Sequence, residues 1–142
     1  MPLPSPPPAE TIVDDGIVAI LRAGLPSLQA VYRYGSAGGI FERPESDVDV
    51  AVLADAPLEF ATQCRLLAEL ARLTGREVDL NDMRRLPVTL RVQIVTGGRR
   101  IFAANPGAAE EYDSRVLSDY AYLNESRKAI LDDVRTRGNI YG

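Results

Sequence analysis

A small mixed β-sheet covered by helices on one side, an α/β or α+β two-layer arrangement with a long C-terminal helix, is the fold class this sequence predicts. Three observations predict it. Apolar positions switch between helical spacing and strict alternation, in the order helix, strand, loop, strand, helix, strand, helix, strand, helix. The 142 residues are 46% hydrophobic and 25% charged, the makeup of a single globular core with no room for an appended substrate domain. No internal repeat or linker divides the chain.

The elements follow in order. Residues 1–9 hold five prolines and are expected to form a flexible tail, leaving 10–142 as the single domain. Over 10–23, Ile12, Val13, Val18, Ile20 and Leu21 suggest a first helix, ended by Gly24 and Pro26. Residues 28–34 are rich in β-branched and aromatic side chains and read as the first strand. A glycine-rich loop follows, then a second strand over 47–54. Over 58–73, Phe60, Leu66, Leu67, Leu70 and Leu73 recur at helical spacing, with Cys64 inside as a small buried apolar residue. Thr74-Gly75 closes that helix.

Residues 76–82 alternate, with Glu77, Asp79 and Asn81 on one face and Val78 and Leu80 on the other. A helix opening at Pro87 and closing at Gly97-Gly98 comes next, then a short last strand over 99–103. From 108 to 137 a long helix carries Tyr112, Val116, Leu117, Tyr120, Leu123, Ile130 and Val134 as its apolar side.

Composition excludes whole classes of function. There is no histidine, which removes Ser-His-Asp and Cys-His catalysis and histidine-ligated zinc. A net charge of −4 argues against nucleic acid as the main partner. The single cysteine permits no internal disulfide and points to a cytoplasmic protein. No apolar run approaches membrane-spanning length, and the N-terminal segment has none of the features of a secretory signal.

The chemistry concentrates between Tyr34 and Leu53. Asp47 and Asp49 stand two apart at the start of a strand, so both are expected on one face, roughly 6–7 Å apart at the backbone. Val48, Val50 and Val52 would then turn into the core. Two anions held side by side repel, and a chain tolerates that best where a cation sits between them. Just upstream, Gly35-Ser36 offers backbone N–H groups and a hydroxyl, as a phosphate-holding turn needs. Carboxylates for a hard cation beside a turn for phosphate suggest a nucleoside triphosphate site.

Gly35-Ser36, followed after a short loop by Ser46-Asp47-Val48-Asp49, resembles the signature of the DNA polymerase β-like nucleotidyltransferase superfamily. At this length the chain looks most like the minimal nucleotidyltransferase (MNT) branch, whose members are often antitoxins beside a HEPN-domain ribonuclease toxin. The motif-bearing part of the resemblance runs from 28 to 80. It implies the polymerase β-like fold, ATP as substrate and Mg2+, in two ions, as cofactor. Asp47 and Asp49 would bridge the ions. Asp79 would be the third metal ligand and a candidate base for the acceptor hydroxyl. The Gly35 N–H and the Ser36 hydroxyl would hold the β- or γ-phosphate. The implied reaction is transfer of AMP to a tyrosine of the cognate HEPN toxin, which makes the chain the antitoxin of a type VII (HEPN/MNT) pair.

The same resemblance leaves a homo- or hetero-oligomer open, and the long C-terminal helix with the open side of the sheet is the expected docking surface. Family members often carry arginine then glycine where this chain has Gly39-Ile40, so the loop lacks a cation that Arg43 would have to replace. That departure favours a second reading, a catalytically degenerate antitoxin acting by binding alone. A third, transfer to a small molecule such as an aminoglycoside, is disfavoured by the missing second domain.

Overall fold

The computed structural model describes residues 8–35 and 47–141. The elements are α1 (Pro8–Gly24), β1 (Leu28–Tyr34), β2 (Val48–Ala54), α2 (Phe60–Thr74), β3 (Val78–Asp82), a 3₁₀ turn (Met83–Arg85), α3 (Val88–Gly97), β4 (Arg99–Ala103) and α4 (Pro106–Tyr141). The first and last strands keep the bounds the sequence suggests. The first helix begins at Pro8, where proline suits a first turn because its missing N–H would have no helical acceptor.

The four strands are ordered β3-β2-β1-β4. β1 pairs antiparallel with both β2 and β4, while β2 and β3 run parallel, joined by α2 as a crossover. The sheet is therefore mixed, as expected. Gly75 ends α2 in the left-handed region at φ 68°, donating its N–H to the Ala71 carbonyl at 2.8 Å. Gln63 Nε2 donates to the Leu80 carbonyl at 2.6 Å and ties α2 to β3.

Alternation along the strands sends side chains to two separate cores. Val31, Val48, Val50, Val52 and Leu80 face α1 and α2, packing with Ile17, Leu21, Leu66 and Leu70. Ala30, Tyr32, Ala51 and Leu53 face the other way, toward Met83, Ile94, Leu90 and Tyr112 of the 3₁₀ turn, α3 and α4. Both faces of the sheet are thus covered, where the sequence pattern suggested helices on one side. Each large aliphatic buried in these cores contributes roughly 1.5–3 kcal/mol relative to exposure.

Several side chains lie elsewhere than the periodicity suggests. Cys64 is exposed, not buried, because the inward stripe of α2 is set by Leu66 and Leu70 on the opposite side of the helix. Phe60 and Leu73 of α2 and Ile12 of α1 are also exposed, at the ends of helices whose central turns make the contacts. Among the α4 residues whose burial is described, 106–137, only Ala109 and Val116 are buried, since the C-terminal half of this helix runs beyond the sheet it packs on. No helix among the described residues is long and apolar enough to cross a membrane.

Buried charge locks the layers together. Asp14 of α1 accepts from Arg33 Nη1 at 2.8 Å and Arg99 Nη1 at 3.1 Å, fixing α1 across β1 and β4. On the opposite face, Asp113 of α4 accepts from Tyr32 Oη at 2.6 Å and Arg100 Nη1 at 2.7 Å. One carboxylate per face therefore neutralises the arginines that the short last strand contributes.

Candidate active site

The candidate acids meet at one end of the sheet. In the parallel ladder, Asp49 of β2 is the register partner of Asp79 of β3. On its other side Asp49 pairs with Tyr34, the last residue of β1. Tyr34, Asp49 and Asp79 thus form one row across three strands, all on the face that carries α3 and α4. Those helices pack further along the strands, and Asp79 is exposed. Asp47 falls one residue before β2 instead of inside it; it is exposed, and Val48 N–H bonds the Glu77 carbonyl at 2.9 Å beside it.

Electrostatics link the three carboxylates. Partial burial raises the pKa of Asp49 above the ordinary aspartate value, and the charges of Asp79 and Asp47 raise it further. Burial also raises the Tyr34 phenol, with Asp79 and Asp49 adding to the rise and an Asn81 hydrogen bond opposing it. Asn81 Nδ2 donates to Tyr34 Oη at 2.7 Å and stands 3.0 Å from Asp79 Oδ2. This amide had a visible signal in the sequence, since alternation along β3 puts Asn81 on the face of Asp79. The part played by Tyr34 had none, because its partner comes from a distant strand.

Gly35 is built for close approach. Its φ is +94°, and a Cβ at this position would stand 2.0 Å from Asp49 Oδ2. No side chain fits between this backbone and the carboxylate. Ser36 and Ser46, with Gly39, Ile40 and Arg43, lie outside the described residues, so the Ser36 part of the expected phosphate turn has no described geometry.

The donor set suits a hard cation. The three acids offer only oxygen ligands, the chain holds no histidine, and the pKa of Asp49 is raised by burial and then by two neighbouring carboxylates whose repulsion a cation would relieve. Among the described residues no group of three or more acidic, histidine or cysteine side chains is placed to hold a metal ion by itself. That is compatible with Mg2+, which is usually held by one or two carboxylates together with substrate phosphates.

A mixed sheet with paired strand-start carboxylates behind a glycine turn defines the nucleotidyltransferase class. Residues 17–107 match the family model described as polymerase beta, nucleotidyltransferase, and the chain belongs to that family. The protein adenylyltransferase MntA of Shewanella oneidensis is 33% identical over 121 residues, covering 85% of this chain and 86% of that protein. A crystal structure of a toxin-antitoxin with AMP-PNP matches with a TM-score of 0.73 and 34% identity, over 85% of this chain and 97% of that one. A structure of tri-AMPylated Shewanella oneidensis HEPN toxin in complex with MNT antitoxin matches with a TM-score of 0.72 and 31% identity, over 88% and 98%. The resemblance to the minimal nucleotidyltransferase branch therefore extends over most of the chain.

Proposed function

We propose that residues 10–142 work as one nucleotidyltransferase domain, the antitoxin of a cytoplasmic pair, which transfers AMP from ATP to a tyrosine of a HEPN-domain toxin. The observation that carries this reading is the Asp49–Asp79 register pair with Gly35 folded against Asp49. The naming of the 33% identical relative as a protein adenylyltransferase supports the reaction, and the tri-AMPylated toxin complex supports the partner.

In this reading Asp47, Asp49 and Asp79 would hold Mg2+, in two ions, which would supply charge neutralisation at the phosphoryl oxygens and the leaving group. The acceptor tyrosine oxygen attacks the α-phosphorus of ATP, the bond from that phosphorus to the β-phosphate bridge breaks, and pyrophosphate leaves. Asp79, exposed at the strand edge, takes the phenolic proton. Asn81 orients the Asp79 carboxylate through its amide. The Gly35 N–H, with Ser36, receives the β- or γ-phosphate, and the absent Cβ lets Asp49 Oδ2 lie against this backbone.

The toxin would dock on the projecting half of α4. Tyr120, Leu123, Ile130 and Val134 follow one another along α4 at steps of three, seven and four residues, and Ile130, Leu131 and Val134 are each more than half exposed. Such a stripe on an otherwise polar helix is costly to leave in water.

Intact-mass measurement tests the proposal. The chain is incubated with ATP, Mg2+ and the HEPN-domain protein encoded beside it. A gain in whole AMP units on a tyrosine of that protein is the expected result. Tight association without any mass gain would replace transfer by the binding-only reading, and modification of an aminoglycoside alone would replace the protein acceptor.

A further inference from the structure

A cavity lies at the other end of the sheet from the acids, on the same face. It occupies about 710 Å³ between the start of β1, the end of β2, and α3 and α4. That falls within the range of roughly 300–1,000 Å³ that small ligands occupy. Leu53 and Tyr112 line it, and Asp49 is four residues from Leu53 along β2, roughly 13 Å away.

Three arginines line this cavity: Arg84, Arg91 and Arg115. Among the described residues, none of them has a carboxylate within ion-pair distance. Two are anchored through Nε, Arg84 to the Ala54 carbonyl at 2.7 Å and Arg91 to the Leu86 carbonyl at 2.8 Å. Each bond ties the guanidinium to the backbone at its base and leaves the terminal nitrogens as donors. Tyr112 Oη is sealed from solvent and has no hydrogen-bond partner among the described residues. Arg91 and Arg84 are near enough for their charges to oppose the rise that burial imposes on its pKa, although no hydrogen bond of good geometry joins Arg91 to it. The half-buried Arg91 guanidinium, tethered and without an acidic partner among the described residues, is costly unless something accepts its hydrogens, while Arg84 and Arg115 are exposed.

We propose that this cavity is a second anion site, separate from the transfer site, which takes an organic phosphate monoester. Phosphate offers several acceptor oxygens to forked guanidinium donors. Leu53 and Val116 supply apolar wall for the organic body. Asp55, Glu111 and Asp119 also line the cavity and are exposed. Their charge selects against polyphosphates, so ATP and pyrophosphate are poor ligands here while a single phosphate is accepted.

The test is titration of the isotope-labelled chain with phenyl phosphate in EDTA, followed by nuclear magnetic resonance. Without divalent metal the transfer-site acids repel anions, so anion binding reports the cavity. Saturable shifts are expected at the Arg91 Nε–H and the amides of Ala108 and Ala109, with Asp49→Asn binding as the parent does. Arg91→Gln should weaken binding by about tenfold or more. Arg115→Gln, at an exposed position, should weaken it without risk to the core. Inorganic phosphate should bind more weakly than phenyl phosphate, and benzoate more weakly still. No saturable shift, unchanged affinity in both arginine variants, or benzoate or ATP binding as tightly as phenyl phosphate would overturn the assignment.

Discussion

Asp49 and Asp79 face each other as direct partners across two parallel strands, although thirty residues and a whole helix separate them in the chain. Adjacent strands lie about 4.8 Å apart, so the two carboxylates are neighbours by construction of the sheet. Asp49 also has Tyr34 as its partner on the other side and the bare backbone of Gly35 against its Oδ2. This crowding makes the site sensitive to single atoms.

Gly35→Ala adds one methyl where a Cβ would meet Asp49 Oδ2, at a φ of +94° that alanine rarely adopts. The carboxylate or the loop must move. The expected result is a loss of transfer of about a hundredfold, the scale of an ångström-sized misplacement, with stability lowered by about 1 kcal/mol. Initial rates of AMP incorporation and urea melts check the two parts.

Asp49→Asn should abolish transfer while leaving the metal-free fold at least as stable. The folded-state pKa of Asp49 is raised, by burial first and then by Asp79 and Asp47. Its contribution to stability is therefore fully present below the ordinary aspartate value and is lost as pH rises through the raised one. In EDTA the variant should melt together with the parent in acid and above it near neutrality. A neutral melt well below the parent's would show that the charge is stabilising.

Asp113→Ala strips the acceptor from both Tyr32 Oη and Arg100 Nη1, which it binds at 2.6 and 2.7 Å. Tyr32 is almost fully buried, so its hydroxyl has no water to turn to. A loss of about 2 kcal/mol is expected by chemical denaturation. The raised pKa of the Tyr32 phenol, set by burial and then by the Asp113 hydrogen bond, should fall toward normal in ultraviolet titration.

Ile130→Asp with Val134→Asp alters only exposed positions of α4. Melting should stay within about 0.5 kcal/mol of the parent, because the side chains make no core contact. Co-purification with the HEPN-domain partner should be lost, and Tyr120→Asp with Leu123→Asp should act in the same direction. A complex that survives both pairs of substitutions would move the interface off this helix.

Much of this could be read from local pattern. The alternation in Val48–Ala54 and Val78–Asp82 put Asp49 opposite Val48, Val50 and Val52, and Asp79 and Asn81 opposite Val78 and Leu80, before any strand order was known. Helical spacing located Leu66 and Leu70, and Gly75 marked a helix end that φ 68° bears out. Periodicity records which side of an element is apolar, because a strand or helix repeats its own geometry every two or 3.6 residues. It says nothing of which face of the sheet a helix covers, so Cys64 and Phe60 looked buried and are not.

The amino-acid order alone thus determined the elements, the two acidic strands and the glycine turn ahead of them. Only the folded arrangement β3-β2-β1-β4 decided that Asp79 would stand beside Asp49, that Asn81 would bridge to Tyr34, and that Asp14 and Asp113 would each bind arginines from β4. Those relationships join residues far apart in the chain. They exist only once strand pairing and the burial of two apolar faces have fixed which distant segments touch.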